Sequence, residues 1–133
     1  MRIASTIARY LLGLIFTVFG LNGFLHFLPQ PPMTGPAGQY FVVLATTNYL
    51  ILVFAIQLAC GLLFLAGRYV PLALTLVAPV IVNILMFHAL MNPSGIIPGL
   101  IVAVCWSLVF ARVRHAFDGI FAPRMSDVEY GRP

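Results

Sequence analysis

The chain has 133 residues, of which 62% are hydrophobic and only 8% charged, and its mean hydropathy is +1.05. That is too apolar for a domain that must present a polar surface to water, so a soluble enzyme or a solvated binding module is excluded at the outset. The formal charge of +4 comes from arginines, without a single lysine, and these sit at the ends of apolar runs. They form no basic patch interleaved with aromatics, so the surplus points to a membrane surface and away from nucleic acid.

A helix needs roughly 20 mostly apolar residues to cross a bilayer core. Four runs meet this requirement, at about 10–28, 50–66, 70–91 and 96–111. They predict an all-α fold, an integral membrane four-helix bundle occupying residues 1–122, followed by a flexible tail over 123–133. The opening MRIASTIAR has the look of a secretory leader. The apolar run behind it is long, however, and ends in Leu25, His26, Phe27, Leu28 and Pro29 without a small-residue cleavage site, so it reads as a retained span.

Between the first two runs, PQPPMTGPAGQY cannot start as a helix. Pro36 suits the first turn of a new segment, so residues 37–46 are expected to form a short interfacial helix anchored by Tyr40 and Phe41. In the first run, Gly13, Gly20 and Gly23 fall near one face, and Asn22 and His26 form a polar stripe on roughly the other. Ala55 and Ala59 in the second run, and Gly95, Gly99 and Ala103 in the fourth, repeat the spacing of small residues that lets membrane helices approach closely. Pro79 should leave the Thr75 carbonyl without its helical donor and kink the third run. Asn83, one turn further on, would then either support the bend or bridge to another helix. After the fourth run, Val113, Phe117, Ile120 and Phe121 suggest a second interfacial helix.

The arginines set the orientation. With four crossings, Arg2, Arg9, Arg68, Arg112, Arg114, Arg124 and Arg132 all fall on one side, whereas 29–48 and 92–95 carry no charged residue. The positive-inside rule then predicts both termini in the cytoplasm. Arg68 itself reads as a positive-inside anchor, with docking of anionic lipid or a partner as its functional alternative.

Chemistry is written more faintly. Asn22, Gln57 and Asn83 read either as interhelical hydrogen-bonding groups or, with His26 and His88, as the wall of an outer-half pocket. Imidazole titrates near neutrality, which suits the pocket reading, whereas interfacial wetting suits the other. No HxxxH, HExxH or CxxC is present, so no metal site is expected. Cys60 and Cys105 read as small packing residues. No catalytic triad, phosphate loop or carboxylate pair is visible.

Three stretches together, LGLIFTVFGLNGFLHFLPQPP, GPAGQYF and GLLFLAGRYVPLALTLVAPVIVNILMFH, resemble the DoxX family of small bacterial four-helix membrane proteins, over nearly the whole chain to about Phe121. The resemblance implies a role beside terminal oxidase or thiosulfate:quinone oxidoreductase systems. It also implies an acidic residue where this chain has Gln57, which removes a charge that proton transfer would use. The leading expectation is therefore a subunit or accessory component of a quinone-linked oxidoreductase system, with a quinone as ligand and no intrinsic cofactor. Its expected partners are the lipid bilayer, redox subunits or further copies of itself. A noncatalytic scaffold that docks a partner through its glycine faces, and a small-solute permease built from oligomers, are the alternatives.

Overall fold

A computed structural model describes residues 2–120. Five α-helices follow in chain order: α1 (Arg2–Leu25), α2 (Gly35–Thr46), α3 (Tyr49–Ala66), α4 (Val70–Leu90) and α5 (Ile96–Val113). There is no strand among the described residues. Single 3-10 turns at Pro93–Gly95 and Arg114–Phe117 flank α5.

Four of these elements, α1, α3, α4 and α5 with its flanking turns, are long and apolar enough to cross a membrane. Even the shortest, the 18 residues of α3, spans about 27 Å at 1.5 Å per residue, close to a hydrocarbon core of about 30 Å. Their outward faces are as apolar as their inward ones. Leu14 on α1, Leu52 and Leu62 on α3, Leu72 and Val82 on α4, and Ile97 and Val104 on α5 are all exposed. A helix that is hydrophobic all round is suited to lipid and not to water.

The four long helices form a square in which α1 and α4 each pack against α3 and α5. Leu12 and Phe16 of α1, Cys60 and Phe64 of α3, and Leu74 and Val77 of α4 are completely enclosed, with Val102, Cys105 and Val109 of α5 completing the core. The two cysteines are buried and unpaired.

Lipid offers helices no hydrophobic drive to associate, so close backbone approach must hold them together. The α1–α3 seam does this with glycine. A Cβ on Gly13 would lie 2.7 Å from Leu65, one on Gly20 would lie 2.5 Å from the Leu58 nitrogen, and one on Gly23 would overlap the Phe54 ring. From the other side, a Cβ on Gly61 would lie 2.5 Å from both the nitrogen and Oγ1 of Thr17. The order of these pairs makes α1 and α3 antiparallel. Ala55 and Ala59 take no part, because they face outward and are exposed; the inward stripe of α3 is instead Gln57, Cys60, Gly61 and Phe64.

The arginines of the described residues gather at one end. Arg9 donates to the carbonyls of Phe64 and, at 3.3 Å, of Leu65 at the end of α3. Arg112 donates to the Arg2 carbonyl, Ser5 Oγ and Thr6 Oγ1, each at 3.0 Å, tying the end of α5 to the start of α1. Arg68 lies in the turn that joins α3 to α4. Arg2 and Arg112 are thus neighbours, as four crossings require.

Several boundaries depart from the sequence reading. α1 starts at Arg2 and not at Tyr10, because polar Ser5 and Thr6 bond back to the Arg2 carbonyl within the helix. It ends at Leu25 and not at residue 28, because His26 adopts the left-handed conformation with φ of 53°. α2 begins two residues earlier than expected, at Gly35, with Pro36 in its first turn. α4 continues through Pro79. Beside the Thr75 carbonyl that Pro79 deprives, the Trp106 indole of α5 donates to the Leu74 carbonyl at 3.0 Å. The expected second interfacial helix is only the 3-10 turn, in which Phe117 is buried and stands 5.0 Å from the Phe110 ring. Phe121 and the tail at 123–133 lie outside the described residues.

Candidate functional site

At the end opposite the arginines, the α1–α3 seam opens into a cavity of about 560 Å³. Its floor and walls are Asn22 and Gly23 of α1, Leu50 and Phe54 of α3, and Gly38, Phe41 and Val42 of α2. The connection between α1 and α2 closes it through His26, Leu28, Pro29, Gln30, Pro31 and Met33. Pro29, Pro31 and the adjoining Pro32 keep the strap out of helix, so it arches over the helix ends.

Two local devices shape the strap. The His26 nitrogen donates to the Asn22 carbonyl at 2.8 Å, and the left-handed turn at His26, where glycine is usual, redirects the chain. Asn22 Oδ1 then accepts the Leu28 N–H at 2.7 Å, pinning the strap to α1 from within. A Cβ on Gly38 would lie 2.5 Å from the Met33 carbonyl, so α2 fits under the strap only because that residue has no side chain.

The polar residues singled out from the sequence divide among three places. Asn22 and His26 line the cavity, Asn22 buried and His26 exposed. Asn83 and His88 do not line it. Asn83 is exposed on α4 and its Oδ1 accepts the Tyr40 hydroxyl of α2 at 3.1 Å, which makes it a bridge to another helix. His88 places Nδ1 2.9 Å from the Asn92 carbonyl and lays its ring over Gly95, locking the α4–α5 connection. With Nδ1–H as donor, Nε2 carries the lone pair.

Gln57 is buried at mid-length of α3, and its Oε1 has no hydrogen-bond partner among the described residues. Thr17 Oγ1, which the sequence reading passed over, is buried without one as well. It lies against Gly61, whose Cα–H offers the weak contact common where helices meet through glycine.

α2 joins these places. Its Phe41 lines the cavity and also stands 5.4 Å from Phe87, edge to face, while Phe87 is 5.1 Å from the His88 ring. Tyr40 packs on Phe87 from 5.6 Å. The residues missed by the sequence reading, Leu28, Met33, Gly38 and Phe54, carry no periodic or chemical signal; only the PQPP break marked the strap.

Chemically, the cavity is an apolar container with few polar groups and no charged one. Among the described residues, no cluster of three or more His, Cys, Asp or Glu could hold a metal ion. Together, the apolar exterior, the four long helices and the end cavity define the class: a small multi-pass α-helical membrane protein with a pocket at one end. No known protein family, curated protein or solved structure matches the chain.

Proposed function

We propose that the chain is a DoxX-like protein of the bacterial inner membrane, with both termini in the cytoplasm, that serves a quinone-linked oxidoreductase system as a subunit or accessory component. The end cavity supports this reading best. Small-molecule sites are mostly apolar with a few placed polar groups, and a quinone asks for that combination: aliphatic and aromatic walls for its ring and tail, and a donor for a carbonyl oxygen. Phe41, Phe54, Leu28 and Met33 supply the walls, and Asn22 and His26 supply the polar side. In this reading the redox group that exchanges electrons with the quinone belongs to a partner subunit.

The test is saturable binding of decylubiquinone to the purified protein in lipid nanodiscs. Val42→Trp, which puts an indole into the cavity from an exposed rim position, should weaken binding at least about tenfold, the cost of filling the space a ligand needs. His88→Ala should leave it within about twofold, because that ring is engaged elsewhere. Equal loss in the two variants, or no saturation in the parent protein, would reject the proposal.

Orientation has its own test. Reporters fused to the N-terminus and after the last residue should both read cytoplasm, and a reporter placed at Asn92 should read the other side, since every described arginine lies at the end that holds Arg2 and Arg112. Termini in opposite compartments would exclude an even number of crossings.

A further inference from the structure

We infer that Asn22 is the specificity-determining residue of the end cavity, held so that it offers a hydrogen-bond donor, and that the cavity therefore selects the oxidised, carbonyl-bearing form of its ligand over the reduced, hydroxyl-bearing form. This rests on the quinone reading above and adds to it a choice between redox states.

The orientation of an asparagine amide is fixed by its partners. Leu28 N–H can only donate, so the atom of Asn22 that meets it at 2.7 Å is the oxygen. The other edge of the same amide, Nδ2 with its two protons, has no partner among the described residues. Asn22 is only 6% exposed, yet it is a wall of the cavity. Nδ2 is not among the fully enclosed side-chain atoms that lack a partner, so this edge of the amide is open to the cavity, and a ligand acceptor there would give it a fixed partner.

The other polar groups of the cavity do not make this choice. His26 and Gln30 are exposed at its mouth, and neither is held by a side-chain hydrogen bond among the described residues. An imidazole or a free amide can turn to present a donor or an acceptor. Asn22 cannot turn without releasing the Leu28 N–H and the strap that it anchors.

A quinone carbonyl accepts from Nδ2 with no proton to place; a quinol hydroxyl can accept there only by turning its own proton away from Nδ2, and at that position it meets the apolar walls of Phe41 and Phe54, the adaptable groups His26 and Gln30 standing at the mouth. A site built to hydrogen-bond one group discriminates strongly against an analogue that leaves a buried polar atom unpaired.

The test measures binding of decylubiquinone and of its quinol, under anaerobic conditions at about pH 8 so that an introduced carboxyl is ionised. The parent protein should bind the quinone at least about tenfold more tightly than the quinol. Asn22→Asp keeps an oxygen for Leu28 N–H, and so keeps the strap, but turns the second edge into an acceptor; the preference should fall below unity and reverse. A merely structural role for Asn22 would weaken both forms equally and leave the ratio untouched. Should Asn22→Asp fail to yield folded protein, Leu28→Pro gives the same readout, because it removes the N–H that fixes the amide, and the ratio should then fall to within about twofold. An unchanged ratio in the variant that folds overturns this inference and leaves the quinone reading standing. Absence of saturable binding of both forms to the parent protein rejects the two together.

Discussion

Gly61→Leu is expected to destabilise the bundle by about 3 kcal/mol or more, whereas Ala59→Leu, two residues away on the same helix, should change stability by no more than about 0.5 kcal/mol. The difference lies in what each new side chain meets. At Gly61 the first added carbon falls 2.5 Å from the Thr17 backbone nitrogen, and a backbone on a packed helix cannot step aside as a flexible side-chain tip can. Relief would require α1 and α3 to separate, which gives up the contacts along the whole seam from Gly13 to Gly23 and disturbs Leu12 and Phe16 in the core. Ala59 points outward, so a leucine there meets only the surroundings of an already apolar surface. Helix propensity runs against the difference, since Gly→Leu gains up to about 1 kcal/mol of it and Ala→Leu almost none, so a larger loss at Gly61 has to come from packing. Unfolding in detergent by denaturant, followed by circular dichroism, would read the two values. Equal losses would mean that the α1–α3 seam is not where the bundle is held.

That pair of residues also shows what could and could not be read in advance. The four apolar runs, their turns and the gathering of arginine at one end were legible because each rests on a local rule: length against bilayer thickness, proline against helix, charge against lipid. Gly13, Gly20 and Gly23 were legible as one face for the same reason. Which small residues of α3 they meet was not legible, because Ala55 and Ala59 satisfy the spacing rule as well as Gly61 does, and only the rotation of α3 about its axis decides between them. Once packed, these glycines face the neighbouring helix inside the protein.

The site followed the same division. Asn22, His26, Asn83 and His88 all belong to the end opposite the arginines, as their positions in α1 and α4 imply. Their assignment to one cavity was a statement about helix neighbours, and α1 and α4 stand at opposite corners of the square. The aromatic layer of Tyr40, Phe41 and Phe87 lies between them. Depth in a bilayer can be counted along a sequence; the identity of the neighbouring helix cannot.

At the other end, replacing Arg9 by Met should cost about 2 kcal/mol, and the loss should be coupled to Gly67. The last carbonyls of any helix lack intrahelical donors. In α3 they are met partly by the chain itself, since Gly67 N–H donates to the Phe64 carbonyl and Arg68 N–H to the Leu63 carbonyl, each at 3.2 Å, the paired bonds of a Schellman turn. Arg9 adds a donor from α1, reaching the Phe64 and Leu65 carbonyls with one nitrogen. Its positive charge sits where the helix dipole is negative, and its guanidinium carbon lies 4.2 Å from the centre of the Tyr10 ring. Hydrogen bonds from a charged donor contribute about 1.5–3 kcal/mol, which sets the expected size. Arg9→Lys should recover only part of it, because an ammonium lacks the planar guanidinium face that lies over the Tyr10 ring.

Gly67 makes the coupling. Its φ is 67°, where a side chain is strained, and a Cβ there would also lie 3.1 Å from Arg9 Nη1. Gly67→Ala in the parent protein should therefore cost about 1 kcal/mol for the backbone and more for displacing the guanidinium. In the Arg9→Met background only the backbone part remains. The double variant should fall short of the sum of the single losses by about 0.5–1 kcal/mol, measured as a double-mutant cycle in the same detergent unfolding assay. Strict additivity would mean that Arg9 does not seal the end of α3 across the turn, and that the two features merely lie close together.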